Sequence, residues 1–410
     1  MDTAFAHRRK SVHDEGDFAM TNTALQRGMT LIELLVAMVI ALVLTLAVTS
    51  IVIVGESHRR TTTSTNDMNQ AGSYAAATID RTVRSAGSGF IQSFNQGVFG
   101  CRLNVGTMLP RASAFPAPFT NFLAGATTTL TVAPLLIAKN QSAAGSDVLV
   151  VMSGNGAAGD VPRRLTDPGD ATTLRLETAV GFAANDLVLV SQSGVPNCLL
   201  EPVASTTASN LVLNTSGSYY TVGTANKLAD LAISTSANPA YVTLLGNSTA
   251  ANVQMQLIGV GNNNTLFSYD LLRATGTDTS QAIADGVLEL HAAYGVDSND
   301  DGLLDTWADP GAAGYTIDAI MNPTTGATTM RRIVAVRLAL VMRSSTYEKQ
   351  MVSPYQLTYF SDLTNAAGAS LAGTVTLGTN AAAEDERRHY RYRVIETTIP
   401  LRNLLLMGNS

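Results

Sequence analysis

Hydrophobic residues dominate one long stretch near the start of the chain. From Leu31 to Val54 the sequence is apolar apart from a few hydroxyl side chains and one charged residue, Glu33. At 1.5 Å per residue a helix of this length measures roughly 36 Å, against a membrane hydrocarbon core of about 30 Å. The pattern therefore predicts a membrane-spanning helix. A carboxylate near its edge costs roughly 2–3 kcal/mol on insertion scales, so Glu33 calls for a specific role.

A helical pattern continues beyond the apolar run. Met68, Ala71, Ala75, Ile79 and Val83 recur three or four residues apart, with polar residues on the other faces. The pattern predicts one helix from about residue 29 to about residue 86, ended by the AGSG stretch at 86–89. The second half of this helix should place its apolar stripe on a sheet.

From about residue 90 the period changes to short alternating runs separated by turn residues. The strand candidates are 147–152, 173–178, 186–191, 210–214, 240–245, 286–296, 332–343 and 390–403, with a hairpin over 253–272 that turns between Gly259 and Asn264. This alternation is typical of antiparallel sheets with one covered face. We therefore predict an α+β fold, in which a long N-terminal helix packs on an antiparallel sheet and a large β-rich segment is inserted.

Composition and charge exclude several classes of function. The net charge is −6 and only 14% of the residues are charged, without a long basic run, so nucleic-acid binding has no electrostatic basis. None of the five histidines stands at metal-ligand spacing, and no catalytic motif is present. We expect a structural protein rather than an enzyme, without an obligatory cofactor.

The chain has two cysteines, Cys101 and Cys198. They are compatible with a single disulfide formed in an oxidising compartment, and two unrelated buried thiols are the alternative. If they pair, they close a loop of about a hundred residues, which a chain-entropy model values at roughly 4–5 kcal/mol.

The stretch DSNDDGLLD, residues 297–305, has the spacing of a calcium loop. Such loops use oxygen ligands at positions 1, 3 and 5, a glycine at 6, a backbone carbonyl at 7 and an oxygen at 9. The corresponding candidate ligands are Asp297, Asn299, Asp301, the carbonyl of Leu303, and Asp305. The bidentate glutamate of an EF-hand is missing at position 12, where Ala308 stands. An acidic hairpin tip that serves only solubility is the alternative.

The sequence RGMTLIELLVAMVIALVLTL, which begins at Arg27, resembles the prepilin N-terminus. In that family a membrane-embedded peptidase cuts after the glycine and methylates the new amine. The resemblance implies cleavage between Gly28 and Met29 and N-methylation of Met29, which stands where phenylalanine is most common. Glu33 would then meet an N-terminal ammonium, its own or a neighbour's, in the apolar core of a helical fibre, where an unpaired charge is costly.

Later blocks of the chain resemble the PilW kind of type IV pilus minor pilin. They are LELHAAYGVDSNDDGLLDTW, RRIVAVRLALVMRS and RYRVIETTIPLRN, in this order. The resemblance implies a pilin fold, a single membrane pass in the bacterial inner membrane with a periplasmic C-terminal domain, and later entry into the pilus, at its tip. The implied partners are the prepilin peptidase, other minor pilins, the major pilin, the inner-membrane assembly platform, membrane lipid and a tip adhesin.

The expected organisation has five segments. They are a leader at 1–28, with translation starting at Met1 or Met20, a transmembrane half-helix at 29–55, an amphipathic half-helix at 56–89, a β-rich insertion at 90–250, and a C-terminal sheet region with the candidate Ca²⁺ loop at 251–410. The expected function is to join a tip or priming complex that starts pilus assembly. A type II secretion pseudopilin of the J kind and a membrane-anchored, calcium-dependent binding module are the alternatives.

Overall fold

The computed structural model describes residues 28–104, 115–122, 129–156, 161–167, 172–214, 238–250, 252–272, 279–322, 324–381 and 384–405. The chain forms two compact units, Met1–Arg59 and Arg60–Ser410. The helices are α1 (Leu31–Arg84), α2 (Ile317–Ile320), α3 (Gly326–Arg331) and α4 (Arg402–Leu405). The strands are β1 (Arg102–Asn104), β2 (Thr129–Thr131), β3 (Leu135–Ala138), β4 (Val148–Ser153), β5 (Arg163–Asp167), β6 (Thr173–Leu176), β7 (Asp186–Gln192), β8 (Leu199–Thr206), β9 (Asn210–Leu213), β10 (Ala240–Asn247), β11 (Gln254–Gly261), β12 (Thr265–Asp270), β13 (Gln281–Asp285), β14 (Val287–Val296), β15 (Thr306–Ala308), β16 (Ile333–Arg343), β17 (Gln356–Tyr359), β18 (Gly373–Thr376) and β19 (Tyr392–Pro400).

Within the second unit, α1 buries one stripe of side chains. Met68, Ala75, Ile79 and Val83 are buried as the periodicity predicts, and Ala71 packs against the same core. Gly72 also lies on this stripe, where a Cβ would overlap Ile395 Cδ1 on β19 and lie 3.0 Å from Met342 Cγ on β16. A glycine at this position therefore brings the helix backbone close to the sheet.

Polar contacts fix both ends of the packed part of α1. The Ser64 hydroxyl accepts a hydrogen bond from the backbone N–H of Thr346 at 3.3 Å. At the other end the side-chain amide of Asn403, in α4, donates to the carbonyl of Ala86 at 2.8 Å. The helix ends at Arg84, and Gly87 (φ 79°) follows in the left-handed region, as expected from the AGSG stretch.

The sheet beneath α1 has four antiparallel strands in the order β15-β14-β16-β19. Its central strands β14 and β16 are almost wholly buried, since α1 contributes to the core on one face and the segment that carries β17 covers the other. This layout of a helix on an antiparallel sheet agrees with the predicted α+β class.

A second, five-stranded antiparallel sheet has the order β13-β12-β11-β4-β3. It shares one hydrophobic core with the four-stranded sheet. The link between them is polar as well, because the buried carboxylate of Asp147 accepts hydrogen bonds from the N–H groups of Asn140 (3.0 Å) and Ala292 (2.9 Å, on β14). Burial raises the pKa of Asp147. The only sequence signal of this link is an acidic residue directly before an apolar strand.

Between β4 and β11 the chain forms a closed six-stranded barrel in the order β10-β5-β6-β9-β8-β7. The barrel has its own hydrophobic core, built from inward residues such as Leu174, Val190 and Val242. The ends of this insertion lie side by side, since Ser153 on β4 pairs with Gln254 on β11. The barrel is thus an insertion into a β-hairpin of the five-stranded sheet.

The strand candidates of the sequence correspond to β4, β6, β7, β9, β10, β14, β16 and β19, and the hairpin to β11 and β12. Its turn is Asn262–Asn264, and Gly259 lies within β11, so the predicted turn began too early. The pattern did not predict the remaining strands, among them β5, which lies among prolines and charged residues, and β8, which contains Pro202.

Candidate functional site: the N-terminal helix and the acidic loop

The residues predicted to be processed, Gly28 and Met29, lie directly before the first turn of α1. Gly28 is exposed, and apart from its chain neighbours no atom of the described residues lies within 4 Å of the position that a Cβ would take there. Thr30 caps the helix, because its hydroxyl accepts from the N–H of Glu33 at 3.3 Å and its carbonyl accepts from the N–H of Leu34 at 3.1 Å. The Thr-Leu-Ile-Glu order is also that of a capping box. The helix therefore begins just beyond an accessible glycine.

Glu33 lies in the first turn, surrounded by exposed apolar side chains such as Met29 (66% exposed) and Leu31 (77%). Within the part of the chain that the structure describes, no group pairs with the Glu33 carboxylate. An acidic side chain in the first turn of a helix is favoured by the helix dipole. In an apolar medium this carboxylate would still need a cation from another source.

The hydroxyl side chains in the apolar half of α1 form their hydrogen bonds within the helix. The hydroxyls of Thr45, Thr49 and Ser50 each donate to a backbone carbonyl three or four residues earlier, with distances of 2.7–2.9 Å. The most apolar 18-residue stretch of α1 has no buried residue, and the helix is long and apolar enough to cross a membrane. Polar groups bonded in this way are tolerated in hydrocarbon.

The acidic loop is folded around Asp297. This buried carboxylate accepts from the backbone N–H groups of Asn299 (3.2 Å), Asp301 (3.2 Å) and Gly302 (2.7 Å). Gly302 has a φ of 84°, in the left-handed region, so the loop makes the sharp turn that calcium loops make at their sixth position. The loop backbone is therefore ordered by its own side chains.

The other members of the candidate ligand set lie nearby with different contacts. Asp301 accepts from the N–H of Leu303 at 2.8 Å, and Asp305 accepts from the hydroxyl of Ser298 at 2.7 Å, which lowers the pKa of Asp305. Among the described residues, no group of three or more His, Cys, Asp or Glu side chains is arranged to hold a metal ion. The calcium interpretation stays a prediction.

Asp300, the one acidic residue of the 297–305 loop that was not a predicted ligand, has a different role. Its carboxylate lies 2.6 Å from Arg332 Nη2 and 3.1 Å from Arg331 Nη2. The hydrogen bond from Arg332, assisted by Arg331, lowers the pKa of Asp300 to about 2. This pairing anchors the loop to the end of α3, and the sequence offered no local signal for it because the partners lie far apart along the chain.

Cys101 and Cys198 are joined by a disulfide, with their Cα atoms 5.5 Å apart. Cys101 directly precedes β1, and Cys198 lies in the β7–β8 connection of the barrel. The bond fastens the inserted barrel to the rest of the second unit. It supports the predicted pairing of the two cysteines.

An exposed glycine before an exposed apolar helix with one acidic residue, and a sheet packed on the amphipathic half of that helix, are features expected of a membrane-anchored pilin-type subunit. Two family models match the chain. Residues 24–49 match the prokaryotic N-terminal methylation motif, and residues 249–403 match the type IV Pilus-assembly protein W. No curated protein and no solved structure matches. The matches confirm the predicted resemblance to PilW and support a type IV pilus minor pilin.

The two family models match different parts of the chain. The methylation motif covers the first part of α1, and the W match begins at the end of the barrel and reaches past β19. It therefore covers the four-stranded sheet, the acidic loop and half of the hairpin that receives the insertion. All six strands of the barrel lie outside both matches.

Proposed function

We propose that this chain is a structural minor pilin that prepilin peptidase cleaves between Gly28 and Met29. The mature subunit then joins a tip or priming complex that starts type IV pilus assembly. The observation that carries the proposal is Glu33, a carboxylate without a partner in the described chain on an otherwise apolar and exposed stretch of helix. A simple membrane anchor has no use for such a charge, whereas a packed bundle of pilin helices supplies the amine that neutralises it.

The disulfide supports the proposed placement. Disulfides persist in oxidising compartments, which in a bacterium means the periplasmic side of the inner membrane or the outside of the cell. Residues beyond Arg60, including Cys101 and Cys198, would occupy the periplasm until assembly.

Cleavage is tested by coexpressing the full chain with a prepilin peptidase and measuring the intact mass of the membrane-extracted protein. We expect a mature chain that starts at Met29 and carries one methyl group on its amine. Gly28→Glu should retain the leader, because a side chain now stands where the peptidase needs none. Gly55→Glu, within α1, is the matched control for a bulky charged change that leaves the cleavage position intact. A mature N-terminus beyond Val54 would contradict the proposal.

The priming role is tested separately, by copy number and by partners. We expect the protein in purified pili at far lower abundance than the major pilin, and co-purification with other minor pilins from detergent extracts. Deletion of the gene should reduce the number of pili per cell. Recovery as an abundant shaft subunit would overturn the priming role while leaving cleavage untouched.

A further inference from the structure

The second unit contains a polar cavity that neither the pilin proposal nor the family matches assign. It measures about 350 Å³ and lies between the Asn262–Asn264 turn, the Pro118–Asn121 segment and the short helical turn after Ser142. Ligand-binding clefts begin at about 300 Å³, so the cavity is large enough for a small ring. It lies at the tip of the hairpin formed by β11 and β12, far along the chain from both α1 and the acidic loop.

The lining combines one aromatic ring with several neutral polar side chains. Phe267 lies against Gly261, where an added Cβ would stand only 2.6 Å from the ring, so the glycine leaves room for the aromatic floor. The amides of Asn121, Asn262 and Asn263 line the rim. None of the ten described residues that form the lining carries a charge.

The rim amides are available to a ligand. Asn121, Asn262 and Asn263 are exposed, and their side chains have no hydrogen-bond partner within the described residues. The hydroxyl of Ser142, by contrast, is engaged, since it accepts from the N–H of Val260 at 3.2 Å. Each free amide offers two donors and an acceptor, so the rim can meet hydroxyl groups in either hydrogen-bonding sense.

This chemistry selects among ligand classes. A phosphate or carboxylate would need a cationic side chain, and a divalent cation would need carboxylates, neither of which lines the cavity. A purely apolar ligand would leave the rim amides without partners, which is unfavourable on burial. A ring with an apolar face and hydroxyl edges satisfies both the phenyl floor and the amide rim.

We propose that this cavity binds one unit of a neutral saccharide, with the ring face against Phe267 and the hydroxyl groups on the rim amides of Asn121, Asn262 and Asn263. The proposal does not depend on pilus assembly. It gives the second unit a recognition function of its own, directed at uncharged glycans.

The probes are methyl glucoside, methyl galactoside and N-acetylglucosamine, with glucuronic acid as the charged counterpart. The full chain is held in an amine-oxide detergent, because glycoside detergents would compete for the cavity. Saturation transfer from protein to sugar is measured by NMR at millimolar sugar. We expect transfer to at least one neutral sugar and little to glucuronic acid.

The turn offers a matched pair of variants. Asn263 (φ 66°) and Asn264 (φ 55°) both adopt the left-handed conformation that glycine tolerates, yet only Asn263 lines the cavity. Asn263→Gly should weaken binding roughly tenfold, the loss expected for one or two hydrogen bonds, and Asn264→Gly should leave it unchanged. Asn121→Ala, on a different segment, should weaken binding similarly. Unchanged circular dichroism melting shows that each variant is folded.

Three results would overturn the proposal. They are no transfer to any neutral sugar, transfer to glucuronic acid as strong as to the neutral sugars, and equal loss of binding in the Asn263→Gly and Asn264→Gly variants. The last result would trace the effect to the turn backbone instead of the cavity.

Discussion

From Leu31 to Val54, α1 leaves its Leu, Ile and Val side chains exposed, whereas from Ser64 to Val83 it buries one stripe against its own sheet. The two halves belong to different compact units. The apolar side chains of the first half are exposed within the described part of the chain, so we expect them to contact lipid or other subunits. The second half contributes to the stability of the folded unit. The difference predicts that changes in the first half affect assembly and that changes in the second affect folding.

The largest expected effect concerns Glu33. Glu33→Leu makes the helix more apolar, so membrane insertion and the melting of the folded unit should be unchanged, while pilus assembly is lost because the amine of a neighbouring helix has no counter-ion. Counting pili by electron microscopy and co-purifying other pilins measures the loss. Thr30→Ala is the control, since it removes only a helix cap worth about 1 kcal/mol and keeps the carboxylate. Normal piliation in the Glu33→Leu strain would contradict the prediction that changes in the first half of α1 affect assembly.

The next effect lies wholly in the folded unit. Replacing Cys101 and Cys198 by serine should lower the free energy of unfolding by about 4 kcal/mol. Without the disulfide the unfolded chain is no longer constrained by a long closed loop, so its conformational entropy rises. Thermal melting of the detergent-solubilised chain, with and without reductant, measures this loss. Membrane extraction of the variant should be normal. Non-reducing peptide mapping that found two free thiols would contradict the pairing.

A pair of glycines compares the two halves of α1 directly. Gly72→Leu inserts a side chain where Ile395 and Met342 already fill the space, and should destabilise the folded unit by about 1–3 kcal/mol. At Gly55 an added Cβ would have no atom of another described segment within 4 Å, so Gly55→Leu should leave melting unchanged. Equal melting of both variants would contradict the close packing of α1 on the sheet at Gly72.

The smallest expected effect is that of calcium on the acidic loop. If Asp297, Asn299, Asp301 and Asp305 bind an ion, calcium at ten times its Kd should stabilise the folded unit by about 1.4 kcal/mol. Melting in millimolar calcium against chelator measures the shift, and the fluorescence of Trp307 reports locally. Asp301→Asn should reduce the shift without unfolding the loop. Asp285→Asn, outside the loop, should leave it intact, and equal melting with and without calcium would reduce the motif to a charged turn.

Patterns within short stretches of sequence predicted those helices and strands that depend mainly on neighbouring residues. The stripe of Met68, Ala75, Ile79 and Val83 follows from helical periodicity, and β14 and β16 follow from long apolar runs. Closure of the barrel does not, because it depends on β10 pairing with both β5 and β7. Those pairings join segments far apart along the chain, and the registers of short strands leave no mark in a single sequence.

The candidate sites divide in the same way. Gly28, Met29 and Glu33 lie within six consecutive residues and belong to one motif, which can be recognised from the sequence alone. The salt bridges of Asp300 with Arg331 and Arg332 and the cavity at Asn263 are assembled by the fold from separate segments. Only the tertiary structure brings such groups together.

The insertion of the barrel between Ser153 and Gln254 has a consequence for how this protein could diversify. A module that enters and leaves at paired positions of one hairpin can be exchanged for a short turn, or for another module, without disturbing the register of the sheet around it. Only the Cys101–Cys198 bond ties the barrel covalently to a second point. The helix and the two sheets can therefore stay unchanged while the inserted module is replaced. The hairpin of β4 and β11 is the position at which evolution or protein engineering can exchange that module.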